Sequence, residues 1–123
     1  MQKTISMGEL LAIQNSVYRS LISNACDGWK DEVLNRNVSL SDLRQVQALF
    51  ESEVDAFCMA YHGFLRQLEI QGIVTYDEVR NLGIQAYEIK ERAVDKVRDA
   101  YEMRREEVVG RELGCVFCLD DFR

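Results

Sequence analysis

Leu43, Val46, Phe50, Val54, Phe57, Tyr61, Phe64 and Leu68 follow one another by steps of three or four residues. Such spacing averages close to the helical repeat and keeps one face apolar, so it predicts a helix from Leu40 to Gln71. The segment "QGIVT" (Gln71 to Thr75) then places Gly72 at a break, and a connection this short turns the chain back on itself. A third helix is predicted from Tyr76 to about Glu112, antiparallel to the second.

In this third helix Val79, Leu82, Ala86, Tyr87, Ala93, Val94, Val97, Ala100, Tyr101 and Val108 are apolar. At 100° per residue they span a stripe of roughly 140°, wider than the ~100° that suffices to meet one surface. The helix should therefore touch two neighbours. Its alanine column admits a close backbone, while Tyr87, Val94 and Tyr101 border a groove for helix one, for a second copy of the chain, or for a foreign partner. Lys90 and Arg104 interrupt the stripe. Either their stems lie along apolar neighbours with the charged heads on carboxylates or water, or this part of the stripe is a wet docking face.

Helix one is predicted from Met7 to about Cys26, with Leu10, Ile13, Val17, Leu21 and Ala25 as its inward positions. Gly28 is a stop or a kink, and "WKDEVLNRN" from Trp29 either prolongs the helix or forms a short fourth one. Start signals accompany all three helices. "SMGE" (Ser6 to Glu9) and "TYDE" (Thr75 to Glu78) are capping boxes, and "SLSD" (Ser39 to Asp42) is a weaker version with a shorter acid. The fold class is all-α: an antiparallel three-helix bundle built on a long helical hairpin. Residues 1–112 form the single domain, and 113–123 are a tail that either docks on the bundle's open end or serves in binding.

Composition agrees with this picture. The chain has 123 residues and no proline, with 47% apolar and 29% charged side chains, enough for a single core and free of obligatory helix breakers. Acids outnumber bases 21 to 15, for a net charge of −6; such a surface repels phosphate backbones, so nucleic acid is not an expected partner. No long apolar segment suggests a leader or a membrane span, and a cytoplasmic chain with reduced cysteines is expected.

Candidate chemistry is sparse. "CVFC" (Cys115 to Cys118) is half a zinc site or a redox pair, and Cys58 with His62, one helical turn apart, supplies two further zinc ligands on paper. Position opposes this set. With the reversal at Gly72, residue 104 lies level with about residue 43, and Cys58 lies about 22 Å further along at ~1.5 Å per residue. His62 is the only histidine, which excludes HExxH and multi-histidine metal sites. Met59 occupies the place where a di-iron bundle needs glutamate. A Cys58–His62 nucleophile pair on a rigid helix lacks an oxyanion pocket.

The expectation is thus a non-catalytic protein–protein interaction module without cofactor, with zinc- or redox-responsive regulation through Cys115 and Cys118 as the alternative. Its expected binding residues are Tyr87, Lys90, Val94, Tyr101 and Arg104 on helix three, with Phe117 and Phe122 in the tail. Self-association through the Tyr87/Val94/Tyr101 groove is a further expectation. By size and charge the chain is similar to small acidic inhibitors carried by phages, an analogy of composition alone.

Overall fold

A computed structural model describes residues 7–35 and 37–112. It contains α1 (Met7–Val33), α2 (Leu40–Ile70) and α3 (Tyr76–Glu112), each in contact with the other two, and no strand among the described residues. The architecture is the three-helix bundle on a long hairpin that the periodicity implied.

The reversal between α2 and α3 is built from backbone. Gly72 has φ of +73°, the left-handed conformation that costs a residue without Cβ nothing. This lets Gly72 N–H donate to Glu69 O at 2.9 Å and Ile73 N–H donate to Leu68 O at 2.9 Å, the paired bonds of a Schellman ending. α3 then starts on a capping box, with Glu78 N–H donating to Thr75 Oγ1 at 3.2 Å and Thr75 N–H donating to Glu78 Oε1 at 3.1 Å. At the start of α2 the same reciprocal bonds join Ser39 and Asp42, but the Ser39 N–H to Asp42 Oδ2 distance is longer, 3.4 Å. Aspartate, one methylene shorter than glutamate, reaches back less far. The box at Ser6 lies outside the described residues.

Register along the hairpin follows from the turn. Lys90 Nζ sits 2.8 Å from Asp55 and Arg98 NH2 2.6 Å from Glu51, each within two residues of the alignment that sets residue 104 level with residue 43. These partly exposed pairs fix alignment more than they stabilise.

α1 differs from expectation in length. It runs unbroken through Gly28 to Val33, so no separate helix begins at Trp29. Glycine inside a helix costs about 1 kcal/mol relative to alanine, but Trp29 and Val33 beyond it are 5% and 1% exposed, and their burial outweighs that cost. Beyond the local helix backbone, nothing comes within 4 Å of a Cβ placed at Gly28 or Gly63, whereas a Cβ at Gly83 would lie 2.8 Å from His62 Cε1.

The end of α1 is held from α3. Arg104 Nε donates to Val33 O at 2.8 Å, its NH2 to Asn35 O at 2.9 Å and its NH1 to Glu107 at 2.9 Å; Arg111 also donates to Val38 O. The terminal carbonyls that a helix leaves unpaired are thereby satisfied by a planar, charged fork. Arg104→Ala is expected to lower stability by about 1.5–3 kcal/mol, the range for hydrogen bonds to a charged group. Arg104→Lys should recover less than half of that, because one ammonium does not reproduce the fork. Urea unfolding checks both.

Candidate interaction surface

Which side of α1 faces inward is decided by its aromatic residues. Tyr18, Ile22, Ala25, Trp29 and Val33 are buried, and of the inward set expected from the sequence only Ala25 is among them. Ile13 and Val17 are each 47% exposed and Leu21 38%. The helix carries two apolar faces roughly one residue apart, and the bundle takes the larger side chains. Tyr18 stacks on Tyr61 with ring centroids 4.9 Å apart and donates to Ala86 O at 2.7 Å. Trp29 lies 6.5 Å from the Phe50 ring and donates to Gln47 Oε1 at 3.0 Å. Two large rings with satisfied polar ends bury more area than three aliphatic chains.

The displaced stripe then faces outward beside α2. Gln14, Val17 and Leu21 line one wall of a shallow groove, and Phe57, Ala60 and Phe64 line the other. Phe57 and Phe64 are half-buried, because the centre of α2's inward face falls on Val54, Cys58, Tyr61 and Leu65. This face is almost free of charge. From Leu10 to Cys26 the only charged residue is Arg19, which lines the opposite cleft between α1 and α3. From Ala56 to Leu65 there is no Asp, Glu, Lys or Arg. α3, by contrast, carries ten acids and eight bases.

The binding residues expected on α3 are largely engaged within the bundle. Val94 is buried, Tyr101 is half-buried against the core, and Arg104 holds the end of α1. Lys90 is bound to Asp55, with its Nζ 4.9 Å from the centroid of the Tyr87 ring. The Asp55 hydrogen bond is what raises its pKa above the usual lysine range, against a smaller opposing effect of burial. Stems along apolar neighbours and heads on carboxylates is therefore the arrangement found. Tyr87 stays 53% exposed, while Phe117 and Phe122 lie outside the described residues.

The potential zinc ligands divide. Cys115 and Cys118 lie outside the described residues. Cys58 is buried beside Tyr18, whose pKa is raised by burial first and by the Cys58 hydrogen bond second. His62 instead lies over Gly83 in a groove with Arg66 and Arg80. Among the described residues no group of three or more His, Cys, Asp or Glu side chains is placed to hold a metal ion. Cys26 lines the α1–α3 cleft, its thiol pKa pushed up by burial and then by Asp27. No described helix is long and apolar enough to cross a membrane.

The sequence contained a signal for the outward face: Leu10, Ile13, Val17 and Leu21 form one helical stripe, and Leu11, Tyr18, Ile22, Ala25, Trp29 and Val33 form another. A helix with two apolar stripes has one more than a hairpin partner can cover. No family model, curated protein or solved structure matches the chain.

Proposed function

We propose that the protein is a non-catalytic helical interaction module that binds a protein surface through the outward α1–α2 face and acts on its partner by occupying it. One observation carries this reading: Ile13, Val17 and Leu21, backed by Phe57 and Phe64, form a contiguous apolar face. Single exposed aliphatic residues are ordinary on a protein surface, whereas a row of them flanking a groove marks an interaction site. Uncharged neighbours such as Gln14, Ser16, Ser20 and Asn24 give it the polar rim of a protein interface without charges to desolvate at its centre. An inhibitory or regulatory role fits a chain that presents a surface and little else.

The test compares the wild-type chain with a Val17→Glu, Leu21→Glu double variant. Each is immobilised and exposed to extract of the source cells or to the purified wild-type chain. The wild type should retain a protein in stoichiometric amount that the variant, with the same helical circular dichroism, loses at least tenfold. Equal retention by both would place binding on another face.

A further inference from the structure

We infer that the occupant of this face is a second copy of the same chain, its α1 antiparallel to the first across a two-fold axis at Val17. This rests on the reading of the α1–α2 face as an interaction surface and adds the identity of the partner.

Charge is the first argument. Two copies each carrying −6 repel one another, and they approach at least cost where neither presents a like charge. Between Leu10 and Cys26 on α1, and Ala56 and Leu65 on α2, the sole Asp, Glu, Lys or Arg is Arg19, and it points into the α1–α3 cleft. A foreign partner selected by an acidic protein would carry bases, and no carboxylate lines this groove; Glu32 and Glu53 lie in the next pocket along, with Asn24.

Symmetry is the second. Ile13, Val17 and Leu21 are spaced evenly by four, so reversal about Val17 sets Ile13 of one copy against Leu21 of the other and Val17 against itself. Gln14 then meets Ser20, two uncharged groups able to hydrogen-bond. A row with spacing of four is also a packing ridge, and two such ridges interlock at a crossing angle of about −50°. The groove between Val17 and Leu21 on one side and Phe57 and Phe64 on the other is the slot for the partner's ridge. The smallest of the three side chains, Val17, stands at the crossing point, where the helices come closest. An isologous contact requires a patch complementary to itself, and this one is.

Light scattering on the full chain from about 1 to 100 μM, the μM range of moderate affinities, should give twice the 14.2 kDa of one chain. Ile13→Lys alone and Leu21→Glu alone should each give the mass of a single chain with unchanged helicity. Mixing the two variants should restore the doubled mass. A mixed pair sets the introduced ammonium of one chain against the introduced carboxylate of the other across the axis, and leaves the wild-type Leu21 and Ile13 in contact on the other side. A wild type that stays at single-chain mass throughout overturns the inference. So does a doubled mass that both variants retain, and absence of rescue in the mixture overturns the seating about Val17. If Phe117→Glu with Phe122→Glu converts a single-chain wild type into a dimer, the tail is the occupant instead. A single-chain wild type that retains a foreign protein, lost on Val17→Glu, would leave the interaction face standing while removing self-pairing.

Discussion

Trp29→Ala is expected to lower the unfolding free energy by about 3–5 kcal/mol, the range for truncating a buried large aromatic residue. Trp29 is 5% exposed and packs beside Phe50, so its loss opens a cavity lined by residues that collapse into it only in part. Polar consequences add to this. Gln47 is buried, its Oε1 accepts only the indole N–H, and its Nε2 already has no partner; without Trp29 both ends of the amide are unpaired. Helix propensity adds a third effect, because the turn after Gly28 keeps Val33 as its sole buried anchor. Against a typical total of about 5–15 kcal/mol, the loss is a large fraction. Urea unfolding measures it, and native-state hydrogen exchange should show amides from Trp29 to Val33 losing protection before the rest of α1. Trp29→Phe, which keeps most of the ring and drops the N–H, should fall between wild type and Ala. A loss below about 1 kcal/mol for Trp29→Ala, less than a well-packed aromatic ring contributes, would mean that the end of α1 is not packed as described.

Leu65→Ala is expected to cost about 2–5 kcal/mol, and Phe64→Ala at least ~1 kcal/mol less, although phenylalanine is the larger side chain. Leu65 is 0% exposed at the centre of the three helices. Phe64 is half-buried on the wall of the outward groove, where truncation leaves a notch open to solvent rather than a void. Both variants belong on a Val17→Glu background, so that pairing between copies does not enter the measured stability. The reverse ranking would rotate α2 by one residue and turn the proposed face inward. The order of the two numbers therefore tests the geometry on which the interaction surface depends.

Much of the fold was legible in the sequence because its signals are local. The bounds of α2 and α3, both boxes at Ser39 and Thr75, and the reversal at Gly72 depend on residues within a few positions of one another, and the hairpin register follows from the turn. Two neighbours for α3 followed from the width of its apolar stripe. The candidate surface was legible only as an ambiguity.

Periodicity says that α1 has apolar residues at helical spacing, and it says so for two stripes about 100° apart; choosing between them requires knowing which side chains find partners across the bundle. Tyr18 finds Tyr61 and Ala86, and Trp29 finds Phe50 and Gln47, contacts separated by 18 to 68 residues in sequence. Likewise Lys90 and Arg104 read as interruptions of a stripe until Asp55, Val33 and Asn35 were brought beside them. Local chain stereochemistry set where each helix starts, stops and turns. Which of its faces is hidden was left to the tertiary structure, because burial is a competition among side chains for the same interior volume, and its outcome depends on neighbours that sequence distance does not reveal.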